Sequence, residues 1–236
     1  MIHSSSDGAV TTIELDREVK RNALDEEMLD GLSAAFTAAV DSGARAIVLT
    51  GRGAVFSAGA DLSGPVYDLD FIDRLVAVLK QIEATPVPVI AALNGTALGA
   101  GLQLAMVADL RVMAPGASVG IPAAKIGVAV DEWTIRRLAS LVGDGHARGI
   151  LIGCDMLTAD RALGVGFANR IGGLADAQAW AAQIAGWAPL TLQHYKMVLT
   201  GDGEREDAMK AAWLSEDLAE GRAARTEKRT PVFRGR

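Results

Sequence analysis

The chain has 236 residues, half of them hydrophobic, a net charge of −6 and one cysteine, so it can bury one large core and requires no second independent domain. The acidic balance excludes a general nucleic-acid binder, whose phosphate contacts need a face rich in Lys and Arg. The single cysteine excludes an intrachain disulfide, and residues 1–16 lack the basic-then-apolar order of a secretory leader, so the cytoplasm is the expected location. Cys154 has no acid–base partner near it in sequence and reads as buried packing rather than as a nucleophile.

In chain order, His3 falls in a start expected to be mobile, and residues 10–15 alternate as a first strand. Met28, Leu29, Leu32, Ala35, Phe36, Ala39 and Val40 recur at helical spacing, with Asp25 as N-cap, Glu26 and Glu27 in the first turn and Gly43 after the last. Residues 46–49 form a continuous apolar run, as in a strand buried on both faces. Ile72, Leu75, Val76, Leu79 and Ile82 mark a second helix that stops before Pro86. The stretch 86–108 then carries no charged side chain and is long enough to suggest a membrane span. Its prolines and glycines, with Asn94, Thr96 and Gln103, favour a buried strand to about Leu93, a turn at Asn94-Gly95 and a buried helix from near Gly99 to before Asp109. A short strand over 110–114 follows. Strand and helix thus alternate, which predicts an α/β fold with largely parallel strands. After Gly145 the pattern turns helical, over 147–151, 159–163, 175–187 and 205–218. The final residues, 221–236, hold six basic groups and one acid, read as a solvated tail or, alternatively, as an arm reaching a ligand phosphate or a neighbouring subunit.

Two stretches place small residues where a ligand can lie against bare backbone amides. One is the run 51–62 after a strand, and the other is Gly99-Ala100-Gly101 at a helix start, where free N–H groups and the positive dipole end suit a developing oxyanion. Gly116-Ala117-Ser118-Val119-Gly120 satisfies the G-x-S-x-G pattern, but its context does not suit a serine hydrolase, and only His146 and His194 follow it. No acid or histidine cluster has metal-ligand spacing, so neither a metal nor a cofactor is expected.

Arg21-Asn22-Ala23-Leu24, Phe56-Ser57-Ala58-Gly59-Ala60-Asp61-Leu62, Asn94-Gly95-Thr96-Ala97-Leu98-Gly99-Ala100-Gly101 and Ala108-Asp109-Leu110-Arg111 occur in this order, and Glu227-Lys228-Arg229 lies near the end. Together they resemble the crotonase, or enoyl-CoA hydratase/isomerase, superfamily over nearly the whole chain. The resemblance implies a crotonase-like spiral of ββα units over 1–188, a C-terminal helical oligomerisation region over 189–236, and assembly as a trimer or dimer of trimers. It implies an acyl-CoA thioester as ligand, with coenzyme A as part of that ligand. The thioester oxygen is expected on the amides of Ala58 and Ala100, with Gly59, Ala60, Asp61, Gln103, Ala123 and Trp133 lining the substrate and Arg21, Ala23 and Lys228 touching CoA.

The departures from the family pattern bear on chemistry. The two hydratase glutamates map onto Gln103 and Ala123, and neither an amide nor a methyl can move a proton at neutral pH. Asp131 falls where some relatives carry a functional Asp, and it reads either as the N-cap of a helix over 133–141 or, with Glu132, as a relocated acid. Two functions therefore stand: a fatty acyl-CoA binder of lipid metabolism without efficient hydratase activity, or an enoyl-CoA or dienoyl-CoA isomerase, or a hydratase-type lyase, working through Asp131.

Overall fold

The computed structural model describes residues 1–63, 69–201 and 205–236. An antiparallel hairpin, β1 (Ile2–Asp7) and β2 (Val10–Leu15), leads into α1 (Glu26–Asp41). Three strand–strand–helix units follow: β3 (Ala46–Gly51), β4 (Val55–Ser57) and α2 (Leu69–Ala84); β5 (Val89–Leu93), β6 (Thr96–Leu98) and α3 (Ala100–Val107); β7 (Leu110–Met113), β8 (Ser118–Gly120) and α4 (Glu132–Val142). The chain continues through α5 (Asp144–Leu151), β9 (Leu157–Thr158), α6 (Ala159–Gly164), β10 (Arg170–Ile171), α7 (Leu174–Ala185), α8 (Pro189–Thr200), α9 (Arg205–Leu214) and α10 (Glu216–Glu227).

The first strand of each unit joins a six-stranded sheet ordered β1-β2-β3-β5-β7-β10, and the second joins a four-stranded sheet ordered β4-β6-β8-β9. From β2 to β10 the large sheet is parallel. Each unit therefore repeats the last, displaced by one strand, as a spiral does. The run 46–49 is apolar throughout because both faces are covered: Ile47 and Leu49 face the main core, while Ala46 and Val48 face Ala177, Ala181 and Ile184 of α7. Burying each such aliphatic side chain contributes about 1.5–3 kcal/mol.

Local signals appear where expected. Asp25 caps α1, accepting from Met28 N at 2.9 Å. The stretch 86–108 folds as β5, β6 and α3, and all of α3 is buried. Among the described residues no helix is long and apolar enough to cross a membrane.

Four expectations are corrected. His3 lies in β1, paired with Glu14, rather than in a mobile start; the strand is exposed along nearly its whole length, so it has no alternating signature. The helix expected over 205–218 breaks at Ser215, whose Oγ accepts from Leu218 N and starts α10. Cys154 is half-buried with φ +53° in the turn after α5, not packed in the core. The basic tail is not freely solvated. It folds back on α10, where buried Asp217 accepts from Arg234 N at 2.6 Å and Gly235 N at 2.8 Å, and Arg45 donates to Phe233 O at 2.7 Å.

Candidate functional site

The site is built on the segment 21–24, which hydrogen-bonds to β4 and to the loop that follows it. Asn22 sits at φ +55° and is fully buried, its Nδ2 donating to Val55 O at 2.8 Å and Arg52 O at 2.9 Å while its Oδ1 accepts from Arg17 N at 3.0 Å. Ser57 Oγ donates to Asn22 O at 2.7 Å. These bonds fix the loop after β4 against residues 21–24, and Leu24 and Ala60 form a parallel bridge.

That pairing decides which amide is free. Ala58 N donates to Arg21 O at 2.9 Å, so the expectation that Ala58 offers an open N–H is corrected. Leu24 N donates to Gly59 O and Asp61 N donates to Leu24 O, both at 2.8 Å, so the bridge engages both neighbours of Ala60 and turns its own amide the other way. The Ala60 N–H has no partner among the described residues. It follows Gly59, whose φ of +92° suits only glycine. A Cβ built there would fall 2.7 Å from Leu98 O and 3.5 Å from Ala100 N, so this turn packs directly on the start of α3.

Ala100 is the first residue of α3, after Gly99 at φ +50°, and its N–H has no intrahelical acceptor. No other acceptor meets it among the described residues. The free amides of Ala60 and Ala100 thus lie on two adjoining segments, the turn after β4 and the positive end of α3 on which it packs. The far end of the helix is held by buried Arg111, which donates to Ala108 O at 2.8 Å, Ala105 O at 3.3 Å and Phe167 O at 2.6 Å. Burial lowers the Arg111 pKa to about 10, and nearby Arg137 pushes in the same direction.

Gln103, 5% exposed, lies one turn after Ala100. Its Nε2 donates to Thr134 Oγ1 at 2.5 Å and to Asp131 Oδ2 at 3.3 Å. Thr134 Oγ1 donates to Asp131 Oδ2 at 2.6 Å, and Asp131 Oδ1 caps α4 by accepting from Thr134 N at 3.0 Å. Asp131 therefore is an N-cap and also borders the site. Thr134, fully buried, is the member that sequence reasoning missed: it joins α3 to α4, and its position after a capping Asp was the available signal.

The remaining expected residues divide. Ala123, in a 3-10 turn over Pro122–Ile126, and Trp133, in the first turn of α4, are half-buried against the main core. Glu132 is exposed and paired with Arg136 Nε at 2.6 Å, and no described contact brings it to Gln103. Asp61 faces Ser63 and Arg17: the Ser63 hydroxyl, the Ser63 N–H and the Arg17 guanidinium hold its carboxyl well below the usual carboxylate range, against the effect of burial. It stabilises the turn as an ion and has no proton to give at neutral pH. Ala23 is buried beside Asn22, while Arg21 is exposed at φ +53°. Lys228 caps the end of α10, and no described contact joins it to Arg21 or Ala23. Ser118 lies within β8 rather than on a strand-to-helix turn. Among the described residues no three His, Cys, Asp or Glu side chains cluster as metal ligands.

The family model described as Enoyl-CoA hydratase/isomerase matches residues 5–236. The chain is 53% identical over 242 residues to "Probable enoyl-CoA hydratase echA6" of Mycobacterium tuberculosis (strain CDC 1551 / Oshkosh), with 100% of each covered. It is 33% identical over 258 residues to a carnitinyl-CoA dehydratase of Salmonella typhi, covering 100% of this chain and 98% of that one. Among solved structures it matches an enoyl-CoA hydratase/carnithine racemase from Magnetospirillum magneticum with a TM-score of 0.91 at 29% identity, over 100% of this chain and 96% of the other. With the repeated ββα units and the paired free amides already in place, these matches mean that the chain belongs to the enoyl-CoA hydratase/isomerase family of the crotonase superfamily.

Proposed function

We propose that this protein binds a fatty acyl-CoA thioester, holds its carbonyl oxygen between the N–H groups of Ala60 and Ala100, and does not hydrate enoyl-CoA efficiently. The observation that carries the reading is that, among the described residues, two open amides stand near Gln103, whose side chain contacts Thr134 and an Asp131 carboxylate with both oxygens already hydrogen-bonded. At the two positions where the family resemblance expects glutamates stand Gln103 and Ala123. Each missing acid or base is worth about 10²- to 10⁴-fold in rate, whereas the amides bind a thioester oxygen without either. On this reading Arg21, Ala23 and Lys228 contact CoA. The exposed Leu199, Trp213 and Leu214 of α8 and α9, at 80%, 64% and 86% exposure, support assembly into a trimer or dimer of trimers, which sedimentation would read directly.

The test is a panel of acyl-CoAs differing in length and unsaturation, followed by calorimetry for binding and by absorbance for turnover. Binding without turnover, unchanged between about pH 5 and 8, supports the reading, and absence of affinity for every acyl-CoA overturns it. A second reading rests on the closeness of Asp131 to Gln103: an isomerase or related lyase in which Asp131 moves the proton. Turnover of an enoyl-CoA or dienoyl-CoA that Asp131→Asn abolishes would establish it. The bonds that both carboxylate oxygens of Asp131 already make weigh against it.

A further inference from the structure

We propose that the free edge of the large sheet is a docking surface for a second copy of this chain. β1 pairs with the same strand of its partner, antiparallel about a two-fold axis at Ser5, so that His3 of each copy meets Asp7 of the other and the two six-stranded sheets become one.

The backbone of β1 is half used. β1 ends the sheet with β2 alone beside it, and Asp7 and Val10 flank the two-residue turn Gly8-Ala9. In such a hairpin the pair next to the turn exchanges both backbone bonds, and bonded and unbonded pairs then alternate along the ladder. The Asp16 N–H, given to Met1 O at 2.8 Å, keeps the same phase at the other end. Met1, His3, Ser5 and Asp7 therefore turn their N–H and C=O groups toward β2. Ile2, Ser4 and Ser6 turn theirs outward, where they meet no backbone partner among the described residues. Residues 3–7 are all exposed. The register with β2 runs without a bulge, and the strand carries no proline, lysine or arginine, so the devices that usually blunt an edge are missing.

The side chains choose the partner and the register. A Cβ built on Gly31 of α1 would fall 2.9 Å from Ile2 Cγ1, so Ile2, Ser4 and Ser6 share the α1 face of the sheet and His3, Ser5 and Asp7 share the other. A two-fold axis makes the strands antiparallel and lets the outward groups of one copy meet those of the other. Centred on Ser5, it sets Ser4 against the partner's Ser6 in a bonded pair and His3 against the partner's Asp7 in an unbonded one, where Cβ atoms stand about 4.5–5.5 Å apart. An imidazole N–H then meets a carboxylate twice in each dimer. Centred on Ser4, the axis leaves His3 against Ser5; on His3, like meets like; on Ser6, Asp7 faces Ser5. Glu14 lies opposite His3 on β2 and has its own cation in Arg52 at 3.7 Å. The two ionisable side chains of the edge, which would repel most strands, thus match a second copy of themselves.

Sedimentation of the full chain over a range of concentrations tests this, with thermal denaturation to show that each variant folds. Ser4→Pro removes an outward N–H and leaves every bond to β2, so it deletes half of the backbone bonds across the axis. Whatever assembly other faces support, this contact doubles it, and the wild type should approach twice the mass of Ser4→Pro, whose association is about fivefold to a hundredfold weaker. Asp7→Lys sets an ammonium against His3 and should weaken association as well. Register is read by oxidation in a Cys154→Ser background. Two Ser5→Cys strands meet at the axis within disulfide reach, whereas two Ser4→Cys strands stand about 7–8 Å apart on the diagonal, so only the first should link copies readily. A folded Ser4→Pro or Asp7→Lys chain with the wild-type mass at every concentration overturns the proposal, as does Ser4→Cys linking as fast as Ser5→Cys. Should Ser4→Pro or Asp7→Lys not fold, the two cysteine variants decide.

Discussion

Gly101→Ala is the sharpest probe of how the two amides are held together. A Cβ built on Gly101, the second residue of α3, falls 2.6 Å from Ser57 O and 2.7 Å from Ser57 Cβ. Ordinary contact begins near about 3.5 Å, so α3 and the end of β4 must separate by roughly 0.9 Å. Ser57 is pinned by its bond to Asn22 O at 2.7 Å, so most of that movement falls on α3 and carries the Ala100 amide away from Ala60. Overpacking of this kind costs about 1–3 kcal/mol, and the better helix propensity of alanine returns up to about 1 kcal/mol, leaving a net loss near 1–2 kcal/mol. For a chain of this length that lowers Tm by about 2–8 °C. On the proposed reading, losing one of the two bonds to the thioester oxygen should weaken acyl-CoA binding about twofold to tenfold. Gly116→Ala is the control, because a Cβ there meets nothing within 4 Å. Thermal denaturation and calorimetry with a saturated acyl-CoA read both effects. If Gly101→Ala matches the control in Tm and affinity, the close approach of α3 to β4 does not set the amide pair.

Asp61→Asn tests the charged turn after Ala60. Its carboxyl titrates lower in the folded chain than in the unfolded one, so its stabilisation is complete above about pH 4, the unfolded value, and is lost as pH falls toward the folded value. Wild type and Asp61→Asn should therefore differ by about 1–2 kcal/mol at pH 7, and their Tm values should converge as pH drops below about 4; a difference independent of pH would reject the assignment. Asp217→Ala removes the acceptor for two backbone N–H groups of the tail, at 2.6 Å and 2.8 Å. Hydrogen exchange should rise at Arg234 and Gly235 with a stability cost of about 1–3 kcal/mol, and unchanged exchange would mean that the tail is held by its other contacts, among them the Arg45 bond to Phe233 O, the Val232 N–H given to Glu220 Oε1 at 2.8 Å and the Glu216 N–H given to Arg236 O at 2.7 Å.

Much of the fold was legible because its signals are local. The alternation over 10–15, the helical spacing after Asp25 and the capping pattern at Asp131 each depend on a few adjacent residues, and each element starts close to where those residues place it. The strands of the small sheet were not legible: β4, β6 and β8 have three residues each, too few to show a period, and exist because the units of the spiral align them. The site failed in register for a related reason. In Ser57-Ala58-Gly59-Ala60 every side chain is small, and nothing local says which N–H is open. The answer comes from Arg21 O and Leu24, whose long-range pairing consumes the amides of Ala58 and Asp61 and leaves that of Ala60.

The uncharged stretch 86–108 shows how such a site can be assembled without charge of its own. A helix buried on every side tolerates no ion on its flanks, and α3 has only two ends at which polar demand can be met. At the C-terminal end the carbonyls of Ala105 and Ala108 are satisfied from outside the stretch by Arg111, three residues past Ala108. At the N-terminal end the Ala100 amide is left for a ligand. The one strongly polar flank residue, Gln103, is acceptable because Thr134 and Asp131 of the next unit take both its protons. A glutamate in its place would face Asp131 across about the same 3.3 Å with no proton to donate unless it stayed neutral. The amide at position 103 and the carboxylate at position 131 thus form a matched pair, and restoring a hydratase-like acid here requires changing both.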